Sequence, residues 1–240
     1  MKNELQAITM GEVLITLGII GIIAALTIPN LMGVYRKRVV GTKLQKAYAE
    51  LSQLLLLSEV ENENAYYWSW PSGHMTNQQN SVAGKEFIKK YFEPYLNKVM
   101  IEDGYKGKIY TADGQFHYSS EYMKYNIGYY LPSGVLVYFF PSDESAPAVN
   151  VLIPSGNSKL IFGKNVFVFN FQKDKDKKRV VVSARSYANW TCGYLEENRD
   201  YFLQSCIREQ DSSGISSGNW CTFMIYCNNW KIPDDYPIKF

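Results

Sequence analysis

The chain opens on an apolar run and then changes rhythm. Across residues 8–32 only Glu12 is charged, and residues 13–28 read VLITLGIIGIIAALTI. Inside that run no polar stripe recurs at helical spacing, so no face is reserved for water. As one helix the stretch would extend about 37 Å at ~1.5 Å per residue, enough to cross a hydrocarbon core of about 30 Å. A buried core helix of this length would need more covering chain than so small a protein has. A cleaved secretory signal would end in small residues with a cut near Ala24 or Ala25. The favoured reading is a membrane-spanning segment over residues 13–32.

After Pro29 the pattern becomes amphipathic. Leu31, Val34, Val40, Leu44, Ala47, Tyr48, Leu51, Leu54 and Leu55 recur at spacings near three and four, with Lys37, Lys43, Gln45, Lys46, Glu50 and Gln53 between them. This predicts one helix over residues 9–60 with a bend near Pro29, where a helix-interior proline costs about 3 kcal/mol. Residues 61–64 form a charged break, and residues 65–73 (AYYWSWPSG) are aromatic and turn-rich. A short helix is predicted over residues 84–96, bent or ended by Pro94. Alternating or continuous apolar runs predict strands over residues 127–131, 135–140, 149–153, 166–171 and 179–183. Pro132-Ser133-Gly134 reads as one hairpin turn and Lys173 to Lys178 as another. Hairpins imply an antiparallel sheet whose apolar face the second half of the stem can cover. The expected class is α+β, a long N-terminal helix packed on an antiparallel head.

Composition sharpens this division. The 240 residues carry 46% apolar and 20% charged side chains, so the chain is neither disordered nor too small for one core. A net charge of +2 gives no electrostatic case for a nucleic-acid partner. The mean hydropathy of −0.23 reads as soluble only because it averages two unlike halves. Of the Phe, Trp and Tyr residues, only Tyr35 and Tyr48 precede Ala65. Two histidines, His74 and His117, leave little room for His-based catalysis or metal binding.

Glu12 is the anomaly of the front. A carboxylate in a membrane segment is costly unless neutralised or paired. Lys2 lies in another segment, and the next base is Arg36. Cleavage between Ala7 and Ile8 would create a free α-amine on Ile8. Ile8 and Glu12 are four apart and share a helix face, so amine and carboxylate can neutralise each other within or between copies.

The run Ala7-Ile8-Thr9-Met10-Gly11-Glu12-Val13-Leu14-Ile15, followed by the apolar stretch and Pro29, resembles type IV prepilins and type II secretion pseudopilins. In that family a short leader is removed, a glutamate stands fifth in the mature chain and a proline twenty-second. Counted from Ile8, those positions are Glu12 and Pro29. The resemblance implies a leader over residues 1–7, a stem over residues 8–60 and a head over residues 61–240. It implies cleavage by a prepilin peptidase, N-methylation of Ile8, and packing of stems with Glu12 aiding registration. Implied partners are that peptidase and methyltransferase, other pilin or pseudopilin subunits, an inner-membrane assembly platform and membrane lipid. The implied location is the bacterial inner membrane, single-pass, with the head extracytoplasmic in a periplasmic or cell-surface filament. Two departures stand out. The family usually has Gly before the cut and Phe after it; here Ala7, still small, and Ile8 take those places. The basic flank Arg36-Lys37-Arg38 would, by the positive-inside rule, face the cytoplasm.

The cysteines bear on that conflict. Cys192, Cys206, Cys221 and Cys227 lie together near the end of the chain, at spacings of 14, 15 and 6. An even, clustered set suggests disulfides in an oxidising compartment, whereas zinc favours close CxxC pairs or nearby histidines. Three pairings are possible. The resemblance, extending more weakly into residues 151–171 and the tail 229–237, favours Cys206–Cys221 with Cys192–Cys227 nested around it. Disulfides would place the head outside the cytoplasm.

Other motifs carry less. Gly214-Ile215-Ser216-Ser217-Gly218 matches a nucleophile elbow but lies in polar surroundings with no histidine after it, so a loop is expected. Asp174 and Asp176 stand among four lysines, and Ser155, Asn150 and Asn157 bring no carboxylate, so no metal is predicted. Asn189-Trp190-Thr191 is a glycosylation sequon in form only. The aromatic residues, Trp230 and Tyr236 included, are expected to pack rather than bind. Arg36 to Arg38 suit phospholipid headgroups better than DNA. The expected function is therefore a non-enzymatic, cofactor-free pilin-like structural subunit. The alternative is a membrane-anchored ligand- or carbohydrate-binding protein that does not polymerise.

Overall fold

Helix α1 (Met10–Asn62) dominates the chain. Thr9 caps its start: the hydroxyl accepts from the Glu12 amide, and the Glu12 side chain returns a bond to the Thr9 backbone. The helix runs through Pro29 and stops at Glu63, whose φ of 63° no longer continues it. The computed structural model describes residues 9–71, 78–96, 102–103, 108–118, 127–140, 148–153, 159–185, 190–208 and 217–240.

The head begins with a 3-10 turn (Ala65–Tyr67), α2 (Gln78–Tyr91) and a second 3-10 turn (Glu93–Tyr95). Pro94 sits inside that second turn, so the helix predicted over residues 84–96 starts earlier and ends sooner. Strands follow as β1 (Glu102–Asp103), β2 (Ile109–Tyr110), β3 (Phe116–Tyr118), β4 (Ile127–Tyr130), β5 (Leu136–Phe140), β6 (Ala148–Leu152), β7 (Leu160–Ile161), β8 (Val166–Asp174) and β9 (Arg179–Ser183). Among the described residues they form an antiparallel sheet ordered β1-β4-β5-β6-β8-β9 and a small sheet ordered β3-β2-β7. Five of these strands fall where alternation places them, within one to three residues. The two-residue strands β1, β2 and β7 are too short to show a period. Three helices close the chain: α3 (Cys192–Glu197), α4 (Arg199–Ile207) and α5 (Ser217–Cys227).

The main sheet is buried on both faces, not on one as expected. Alternation sends Val137, Phe139, Val149, Val151, Phe167, Phe169 and Phe171 into one core with Leu44, Leu51, Leu54 and Leu55 of α1. Leu136, Tyr138, Leu152, Val166 and Val168 point the other way, into a smaller core with Ile109 and Leu160 of the small sheet. Strand β9 pairs only from Asn170 onward, so the start of β8 has a free edge. Helix α5 covers it, and the Thr222 hydroxyl accepts from the Val168 amide at 3.0 Å. That side-chain acceptor satisfies a buried donor that no neighbouring strand reaches.

Candidate functional site

Helix α1 has two environments. Val40, Gly41, Leu44, Ala47, Leu51, Leu54, Leu55 and Ser58 are buried, at spacings of one to four that draw a single stripe facing the sheet. Leu31 and Val34, expected in that stripe, are exposed; docking begins at Val40, about two turns later than the pattern alone implied. From Met10 to Tyr35 apolar side chains are exposed all round the helix, among them Leu14, Ile15, Ile20, Ile22 and Leu26. A helix apolar on every side and uncovered by its own chain needs another apolar medium. Its length and composition suffice to cross a membrane.

Glu12 lies at the start of that exposed half. Its Oε2 accepts from the Thr9 amide and the Thr9 hydroxyl, each at 2.9 Å. The sequence offers no base close to Glu12, and the structure supplies a neutral local partner instead. The capping box satisfies helix-end donors that have no partner within the helix. Ala7 and Ile8 lie outside the described residues. Pro29 is exposed on the projecting half, where its missing N–H interrupts the backbone ladder.

The C-terminal tail ties the stem to the head. A Cβ on Gly41 would sit 2.0 Å from the Trp230 carbonyl oxygen, so only hydrogen fits between stem and tail there. Further down, Gly33 lies beside the Phe240 carbonyl, at 3.9 Å from the corresponding position. The tail thus follows α1 from Gly41 towards the apolar half. It takes the form of turns rather than a strand. Trp230 packs on Tyr48 with ring centroids 5.1 Å apart, and the Tyr236 hydroxyl donates to the Gly163 carbonyl at 2.6 Å. Burial pushes the Tyr236 phenol well above its ordinary pKa. At the tail's surface Arg199 clamps Asp235 through two hydrogen bonds of 2.9 and 2.7 Å, which hold that carboxyl below its usual range.

Two disulfides fix the base of the tail. Cys206–Cys221 joins α4 to α5 in the core, and Cys192–Cys227 joins the start of α3 to the end of α5. Both match the pairing implied by the resemblance. Cys206 and Cys221 are fully buried, whereas Cys192 is exposed. Such bonds suggest an oxidising, extracytoplasmic compartment.

The remaining motifs separate. Ser217 and Gly218 are buried at the opening of α5 rather than in a loop; Ser216 lies outside the described residues. Asp174 accepts from the Lys177 amide and faces Arg179 at 3.6 Å, a closed hairpin tip. Trp190 packs on Trp220 at 4.2 Å, while Asn189, Ser155, Asn157 and His74 lie outside the described residues. Among the described residues no three His, Cys, Asp or Glu side chains gather as a metal site. The glycine contacts at Gly33 and Gly41 were not readable beforehand, because their partners lie at the far end of the chain.

No curated protein and no solved structure gives a match. One family model, described as a family of unknown function (DUF6613), matches residues 30–240. That span takes in the docked half of α1, the whole sheet, both disulfides and the tail, and the chain belongs to this family.

Proposed function

We propose that this protein is a pilin-like structural subunit, held in the membrane by the first half of α1 and assembled with its own kind through that half. The observation that carries the reading is the projecting apolar stem, exposed on all sides, in which Glu12 is the one charge between residues 8 and 32. A simple anchor needs an apolar helix, and the cap that Glu12 closes with Thr9 could be closed by a neutral side chain, so the charge at the lipid-facing start is what an anchor does not need. In a packed bundle of stems a carboxylate has a role: it accepts the α-amine of a neighbouring or its own Ile8. The resemblance at Ala7-Ile8 and the register of Glu12 and Pro29 support the same reading. The disulfides support a head outside the cytoplasm, where the basic flank Arg36 to Arg38 lies at the outer membrane surface.

The test is the mature N-terminus. Mass-spectrometric mapping of the membrane-extracted protein is expected to find N-methylated Ile8 as the first residue. An intact Met1, or a start near Ala25, would defeat the reading.

A further inference from the structure

The apolar half of α1 ends in a ring of polar and basic side chains, and the tail adds to it. Tyr35, Arg36, Lys37 and Arg38 are consecutive, and at about 100° per residue they point to four sides of the helix. Tyr35 is 60% exposed, Arg36 and Arg38 are exposed, and Lys37 is half-buried. No acidic residue stands between Glu12 and Glu50. The tail reaches the same level, because the Phe240 carbonyl lies 3.9 Å from the Cβ position of Gly33. Phe240 packs on Tyr236 with ring centroids 6.0 Å apart, and Lys239 beside it is exposed. Among the described residues the side chains of Arg36, Lys37, Arg38 and Lys239 have no ion pair or hydrogen bond. Asp235, in the same tail, is already held by Arg199.

Height and direction together select what covers this ring. With residues 13–32 in the hydrocarbon, residues 35–38 stand about 5–9 Å beyond its edge at ~1.5 Å per residue. A headgroup layer is about 5–8 Å deep on each side of the core. Val40, where the head docks, stands about 12 Å beyond Met32, so docking begins above that layer and the tail reaches down into it. A protein partner meets a helix on one side and would leave the charges on its far side bare. A lipid surface meets a spanning helix all round. Phosphate oxygens of headgroups match the guanidinium and ammonium groups, and the Tyr35 ring suits the boundary between headgroup and hydrocarbon. We propose that residues 35–38 and Lys239 form one seat for anionic phospholipid headgroups, built from stem and tail together, which holds the tail, and with it the head, against the membrane surface. This inference rests on the reading that the first half of α1 lies in the membrane, and adds the lipid class it selects and the part the tail takes.

The test uses the full chain reconstituted in phosphatidylcholine vesicles that carry either spin-labelled phosphatidylglycerol or spin-labelled phosphatidylcholine. Electron paramagnetic resonance reads the fraction of each lipid held at the protein. Phosphatidylglycerol is expected to be held about fivefold or more over phosphatidylcholine, and molar salt is expected to remove most of that preference. Arg36→Gln with Arg38→Gln is expected to abolish most of it. Lys239→Gln is expected to cut it about two- to threefold, and Lys239→Arg to keep it, because the charge is what the headgroup meets. Lys175→Gln, at the exposed hairpin tip, is the control and is expected to leave it unchanged. Non-reducing electrophoresis showing both disulfides intact confirms that the variants fold. A preference untouched by Lys239→Gln would take the tail out of the seat and overturn the proposal. So would a preference lowered as much by Lys175→Gln, which would mean diffuse attraction of the whole head. Equal holding of the two lipids by a chain that resists alkaline carbonate extraction would overturn the seat and leave the membrane-held stem standing. Release of the chain by carbonate would overturn both.

Discussion

Gly41 sits where stem and tail cross, and its missing side chain is what lets the Trp230 carbonyl approach. Gly41→Ala places a methyl 2.0 Å from that oxygen, a distance no packed carbon tolerates, and backbone on both sides must move. The expected loss is about 1–3 kcal/mol, read as a lower denaturation midpoint of the detergent-extracted chain. Gly21→Ala is the control: nothing lies within 4 Å of its Cβ position, and the midpoint is expected to stay put. Tyr236 makes a second residue-scale prediction. Its folded pKa is raised by burial, so its contribution is complete below the ordinary tyrosine value of about 10 and is lost as pH rises through the folded value. Tyr236→Phe leaves the Gly163 carbonyl without that donor and is expected to cost about 1–2 kcal/mol at neutral pH. The variant is also expected to lose less of its remaining stability above about pH 10, followed by alkaline titration of tryptophan fluorescence. A steeper loss in the variant would show that the buried phenol is not what opposes ionisation. The uncovered apolar front of α1 was legible in the sequence because local composition marks it. Gly41 and Tyr236 were not, because the atoms that constrain them come from elsewhere in the chain.

At the scale of elements, legibility followed periodicity. Strands β4, β5, β6, β8 and β9 alternate, and their two faces became two cores. Helix α5 gave no signal, because every residue from Ser217 to Ile225 is buried and no polar stripe remains. Its place is set by the free edge of β8 and by two disulfides. Those bonds close loops with separations of 35 and 15 residues. In the chain-entropy account they stabilise by about 4 and about 3 kcal/mol respectively. Their accessibility runs with their loop length: Cys206 and Cys221, which close the shorter loop, are sealed in the core, while Cys192, in the longer one, faces solvent. A mild dithiol acting on the folded protein is therefore expected to reduce Cys192–Cys227 first, with Cys206–Cys221 resisting until the head unfolds. Alkylation followed by peptide mass mapping distinguishes the two, and simultaneous reduction would mean that α4 and α5 open together.

On the proposed reading, the whole molecule separates stability from assembly along a single helix. Below Val40 the stem meets its own head chiefly where Gly33 passes Phe240, so substitutions near the start of α1 have almost nothing in the head to disturb. Glu12 is at that start, bonded only to Thr9 among the described residues. Glu12→Ala removes the return half of one capping box. An exposed cap is worth about 1 kcal/mol to its helix, and the sheet and disulfides lie far from it. The head of the variant is expected to denature at the unaltered midpoint, and removal of a charge is expected to leave membrane insertion intact or slightly favoured. Polymers, however, are expected to fall to a small fraction of the normal amount, because an apolar bundle then holds an α-amine with no carboxylate to accept it. Glu12→Gln sharpens the comparison: it keeps the side chain's length and a carbonyl oxygen for the Thr9 donors but removes the charge. If the glutamate acts only as a cap, Gln assembles nearly as well as Glu. If it neutralises an amine, Gln fails with Ala. Equal polymer yields from all three chains would leave the carboxylate without a part in assembly and return the stem to the status of an anchor.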